Sequence, residues 1–180
     1  MHVLKKITAA GLMMSMLLMA GCWGQEEESQ PVNGTQAVYE EVTLYFSDAD
    51  ANYLVPNQRQ IQVEDTSNEA LAAAIVHELI AGPKENSQLY GIMPPETELQ
   101  TVEMNDKGVM SVSFNQAFID KQPGGSSGLT MTVYGLVNSL ACLEGVEAVQ
   151  ILIDGQVVEA YQGLISETEP IVPMMEYIQP

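Results

Sequence analysis

Apolar positions along this chain recur with two different periods, and the switches between them mark its elements. EVTLYF (41–46) alternates, placing Val42, Leu44 and Phe46 on one side, the signature of a half-buried strand. Tyr53 to Val63 is a second extended segment, with Leu54 and Val55 before Pro56 and Ile61 and Val63 after it. The period then lengthens. Leu71, Ile75 and Leu79 recur every four residues and predict an amphipathic helix over 67–81. Thr66 and Glu69 form a T-x-x-E capping box ahead of it, and Gly82-Pro83 stops it because proline cannot continue a helix.

A loop with Pro94-Pro95 leads into ELQTVEMN (98–105) and VMSVSF (109–114), two strands about the turn Asp106-Lys107-Gly108. Met110, Val112 and Phe114 share one face of the second, and Val109, Ser111 and Ser113 the other. After PGGSSG (123–128), Leu129, Val133, Leu136, Val137 and Leu140 are spaced for a second helix, ended by Gly145. VEAVQILIDGQVVEA (146–160) predicts a hairpin about Asp154-Gly155. The tail TEPIVPMMEYIQP holds two internal prolines and is expected to be irregular, above all over 173–180. The sum is an α+β domain: a small, mostly antiparallel sheet with two helices packed on one face.

The N-terminus changes the picture from a plain domain to a secreted one. MHVLKK supplies a positive start, and Ile7 to Ala20 is uncharged and apolar apart from Thr8 and Ser15. That run is shorter than the ~20 residues a membrane span needs, but it suits a signal peptide. It ends LLMAGC, where Ala20 and Gly21 before Cys22 resemble the lipobox of bacterial lipoproteins, with Met19 in place of the commoner leucine. The pattern implies a signal peptide over 1–21, cleavage before Cys22 and diacylglycerol on its sulfur. Residues 22–40, with three consecutive glutamates, Pro31 and Gly34, are too polar to order themselves and read as an acidic tether. The folded domain is then 41–172, and no fixed-period repeat runs through it.

Charge narrows the partners. The chain has 24 acidic against 6 basic residues, a formal charge of −18, and loss of Lys5 and Lys6 with the leader makes it −20. Such a chain repels nucleic acid and anionic headgroups. Membrane attachment therefore falls to the lipid, whose two chains anchor stably where one is marginal.

Candidate chemistry is sparse. Asp48, Asp50 and Asn52 open like a calcium loop, but position 6 is Tyr53 and position 12 is Arg59, where glycine and a bidentate glutamate are required. A polar turn between two strands is the better expectation. Cys142, unpaired if Cys22 carries lipid, lies in an apolar run and is expected to be buried. His77 is the sole histidine outside the leader, which takes His2 with it, and one histidine makes no metal site. PGGSSG could cradle an anion at a helix start, yet no lysine follows at phosphate-loop spacing. No acid–base pair stands out among so many carboxylates, and the methionines beyond the leader, at 93, 104, 110, 131, 174 and 175, form no stripe. No catalytic residue, cofactor or metal is expected.

Taken in order, LYFSDADANYLVPNQRQI (44–61), LIAGP (79–83), LYGIMPPETEL (89–99), VMSVSF (109–114), VNSL (137–140) and GVEAVQILIDG (145–155) with QVVEAYQG (156–163) resemble the GerMN family. This is a family of sporulation and spore-germination lipoproteins and other envelope lipoproteins. The resemblance implies a fold similar to ring-building-motif domains and no catalytic residues. It also implies protein–protein assembly, as self-assembly or docking to a partner complex, on the outer face of the cytoplasmic membrane. The protein after which the family is named carries two such domains in tandem; this chain has room for one. The expected function is a lipid-anchored, extracytoplasmic interaction module of the bacterial envelope, in sporulation or spore germination. The alternative is a lipoprotein that binds a small ligand or wall component.

Overall fold

The structure, a computed structural model, describes residues 38–157 and 169–180. The leader, Cys22 and most of the tether lie outside the described residues. Strands β1 (Val38–Ser47) and β2 (Leu54–Val63) form an antiparallel ribbon in the register Val38 to Val63 through Ser47 to Leu54. Helix α1 (Asn68–Ala81) follows, then a loop and the hairpin of β3 (Leu99–Met104) and β4 (Val109–Phe114). A short α2 (Ala117–Asp120) and the long α3 (Gly125–Leu140) carry the chain to β5 (Ala148–Ile153) and β6 (Gln156–Val157). The second sheet has the order β3-β4-β5-β6.

The α+β class and the dominance of antiparallel pairing hold, with two refinements. The first two strands pair with each other as a separate ribbon. Between β4 and β5 the pairing is parallel, from Val109–Ala148 to Phe114–Ile153. Parallel neighbours need a crossover, and α2 and α3 supply it. The two hairpins stand as expected: Asn105 Oδ1 accepts from the N–H groups of Lys107 and Val109, and Asp154 and Gly155 both take positive φ, the type I′ geometry.

Burial follows the strand alternation. Val42, Leu44 and Phe46 of β1 and Met110, Val112 and Phe114 of β4 point into one core with Ile75, Val76 and Leu79 of α1. Phe114 and Phe118 stack, with ring centroids 4.6 Å apart. Helix α3 is buried along most of its length, from Leu129 to Leu140, and packs on β1. Gly135 permits that approach: a Cβ there would lie 2.5 Å from Ile92 Cδ1 and 3.1 Å from the Tyr45 carbonyl oxygen. The loop between α1 and β3 is therefore part of the core, since it delivers buried Ile92 and Met93 to the face of α3.

Helix ends depart from expectation in three places. Ser67, one residue after Thr66, caps α1, accepting from the Ala70 N–H at 3.3 Å, so the Thr66–Glu69 box does not form. Gly82 closes α1 as expected, its N–H donating to the Glu78 carbonyl. Helix α3 begins at Gly125, inside PGGSSG, and ends at Leu140 ahead of Gly145. Helix α1 is also less one-sided than its four-residue spacing suggests, because Ala70, Ala73 and Ala74 carry apolar character around to its half-exposed side.

Candidate interaction surface at the β1–β2 turn

The segment SDADANY is the turn of the ribbon. Asp48 Oδ1 accepts from the backbone N–H of Asn52 at 2.9 Å and of Tyr53 at 3.2 Å, and the Asp48 N–H donates to the Tyr53 carbonyl at 2.9 Å. An aspartate spent on its own backbone makes a turn, as expected. Ala51 takes a positive φ in the same loop. Among the described residues no group of three His, Cys, Asp or Glu side chains gathers to hold a metal ion.

Three parts of the chain converge beside this turn. Ser47 and Tyr90 exchange both backbone hydrogen bonds, 3.1 Å and 2.9 Å, which brings LYGIMPP against the end of β1. The start of α3 closes the third side. The result is a groove of about 190 Å³, with Asp48, Ala51, Tyr90, Ile92, Pro123 and Met131 among its lining residues. A second depression of about 280 Å³ shares Ala51 and Met131 and reaches Tyr177 of the tail. Tyr90, in the lining, is 56% exposed, and Tyr53, at the end of the turn, is 42% exposed. Tyr90 thus leaves an aromatic ring in water at the edge of the apolar depression, while Tyr53 lies outside both linings.

The surface is held from behind by polar side chains of α3, an unusual use of a buried helix. Ser139 Oγ accepts from the Tyr45 N–H at 3.0 Å and donates to the Gly135 carbonyl at 2.6 Å. Thr132 Oγ1 donates to the Ile92 carbonyl and accepts from Gln122 Nε2. Asn138 brackets Met174, donating to its carbonyl at 3.1 Å and accepting from its N–H at 2.9 Å. Each bond fixes one of the segments that meet at the groove. The tail, irregular apart from a 3-10 turn at Met175–Tyr177, is docked by these bonds and by the Gln179 N–H donating to the Leu54 carbonyl. Tyr177 packs on Tyr134, centroids 4.9 Å apart.

In the sequence Arg59 stands out only as an obstacle to calcium. In the fold it is buried, with Nη1 2.5 Å from Glu78 Oε2 and its guanidinium 5.4 Å from the Phe46 ring centroid. Nη1 and Nη2 also donate to the Gly82 carbonyl at the end of α1. The strand alternation of β2 would have flagged it, since Arg59 shares the inward face with Ile61 and Val63.

The remaining candidates lie apart from the groove. His77 is exposed on α1, lining a separate 340 Å³ depression with Val63, Ala70 and Ala73. Cys142 is exposed, contrary to the expected burial, because it falls in the turn after α3 and not on the helix's inner face. Its sulfur nonetheless rests on the domain, 3.3 Å from the Asn138 carbonyl, and that desolvation pushes the thiol up, against a lowering contribution from Tyr45. Burial raises Tyr45 in turn, and the neighbouring Cys142 adds to it. A thiol held neutral is a poor nucleophile. Cys22 lies outside the described residues.

Residues 43–159 match the Germane family of sporulation and spore-germination domains. The chain belongs to that family. Among curated proteins none matches significantly. Several solved structures share the fold. The tandem GerMN domains of the sporulation protein GerM from Bacillus subtilis align with a TM-score of 0.60 at 18% identity, over 85% of this chain and 51% of that one. The chain thus spans about half the length of that tandem pair. The first GerMN domain of the same protein aligns at a TM-score of 0.52 and 16% identity, over 78% of this chain and 97% of that one. A Clostridium perfringens protein named as a candidate lipoprotein aligns at 0.53 and 21%, over 74% and 87% of the two chains. The GerMN resemblance and its α+β fold are therefore established for this chain.

Proposed function

We propose that this GerMN-family protein is a non-enzymatic interaction module held to the outer face of the cytoplasmic membrane through Cys22. It acts in sporulation or spore germination, and it docks protein through the groove at the β1–β2 turn. The observation that carries the docking role is the convergence of two distinctive family segments, SDADANY and LYGIMPP, at the Ser47–Tyr90 bridge beside exposed tyrosines. At this groove, about 190 Å³ is below the roughly 300 Å³ at which small-molecule sites begin, which suits a protein side chain; the 340 Å³ depression beside His77 is where a small ligand would fit.

Support for the anchor comes from the order of basic, apolar and small residues before Cys22. Among the described residues no helix is long and apolar enough to cross a membrane. The experiment is a Cys22→Ser substitution in the full chain with radiolabelled palmitate. Loss of label and release into the soluble fraction are expected; continued membrane association with label would overturn the anchor.

A further inference from the structure

The groove's surroundings carry information about what enters it. Three features meet at or beside it: apolar lining from Ala51, Ile92 and Met131; the carboxylate of Asp48 in the lining, with Asp50 in the same turn but outside it; and the first turn of α3, which has no side-chain cap. Uncapped helix N–H groups are donors that suit backbone carbonyls. None of the residues lining the groove or its neighbouring depression carries a positive charge. Glu176, beside Tyr177 of that second depression, adds another carboxylate. The chain as a whole holds 24 acidic and 6 basic residues, a balance that repels acidic partners and attracts basic ones.

Resting on the docking role above, we infer that the partner segment is an extended stretch of another protein that places one apolar anchor side chain in the groove and a lysine or arginine beside it. The anchor fills the space between Ile92 and Met131. The cation lies against Asp50, whose carboxylate no described hydrogen bond engages, whereas Asp48 is committed to the turn. Charge complementarity sets which protein binds, and the apolar anchor sets how tightly.

The test is photocrosslinking in intact cells of the full chain carrying benzoylphenylalanine at Tyr90, with the same probe at His77 on the far depression as a second site. Crosslinked peptides are mapped by mass spectrometry. The expected result is capture from position 90 of a segment of another protein with lysine or arginine within a few residues of the crosslink. Asp50→Lys in the same chain should lower that yield roughly three- to tenfold, the effect of reversing one rim charge, with unchanged thermal melting. Capture of a segment without basic residues, capture of a second copy of this chain, or a yield indifferent to Asp50→Lys would overturn the inference while leaving a docking role standing. Capture from position 77 but not from position 90, or from neither, would overturn both.

Discussion

Arg59 of β2 and Glu78 of α1 form a partly buried ion pair, 2.5 Å between Nη1 and Oε2, that ties the ribbon whose turn borders the groove to helix α1. Arg59 is 7% exposed, and its partner's side chain 37%. Removing the partner of a buried charge costs more than the pair itself contributes. Glu78→Ala should destabilise the domain by about 1–2 kcal/mol, reduced by the solvent that reaches Glu78. Arg59→Ala should cost about 3 kcal/mol, because it also loses the cation–π contact with Phe46 and the bonds to the Gly82 carbonyl. Urea denaturation of both variants checks the order; equal, negligible shifts would show the pair to be ornamental.

Gly135 sets how closely α3 approaches β1. A valine there meets the Tyr45 carbonyl and the side chains of Ile92 and Leu54, and of these the backbone oxygen cannot yield. Gly135→Val should cost about 2–3 kcal/mol by overpacking. Gly135→Ala should cost less, since better helix propensity returns about 1 kcal/mol. Thermal melting of the two variants reads the difference.

Asn138 anchors the tail through both of its hydrogen bonds to Met174. Asn138→Ala leaves those backbone groups without their side-chain partner, at a cost of about 1–3 kcal/mol. Hydrogen exchange should quicken at Ile171, at Ile178 and at Val149, whose N–H donates to the Ile171 carbonyl, well before it changes in β4.

On the acid side, the Ser67 hydroxyl and then the Ser67 N–H, the latter at 2.8 Å, hold the Asp65 carboxyl below its ordinary range. A carboxylate depressed in the folded state contributes stability above its unfolded value and loses it as pH falls through the folded one. Asp65 should therefore titrate at lower pH than an unperturbed aspartate when followed by carboxyl-carbon NMR. Ser67→Ala should move it back toward the ordinary range.

Much of the fold was legible in the chain because its signals are local. Alternation fixed the inward faces of β1 and β4, and Asp154-Gly155 specified its own turn. What stayed hidden depends on contacts distant in sequence. The parallel β4–β5 pairing follows from where α3 sets the chain down, and no residue in either strand announces it. Thr66 and Ser67 are both competent caps, and only the register of α1 decides between them. The groove was half-visible: SDADANY stood out as a failed calcium loop, but its meeting with Tyr90, more than 40 positions on, is a tertiary event. Arg59 shows the same limit, since a charge on an inward strand position gains meaning only from Glu78.

The central claim is that the protein docks through the groove beside the β1–β2 turn, with Tyr53 of the turn and Tyr90 of the facing loop in the contact. Its most direct measurement is co-purification of partners, after mild crosslinking in sporulating cells, with the wild-type full chain and with a Tyr53→Ser, Tyr90→Ser double variant. Both rings are exposed, so the variant should melt with the parent. With interface tyrosines each worth about 1–2 kcal/mol, partner recovery should fall by more than about tenfold. Undiminished recovery with an intact fold would contradict the account.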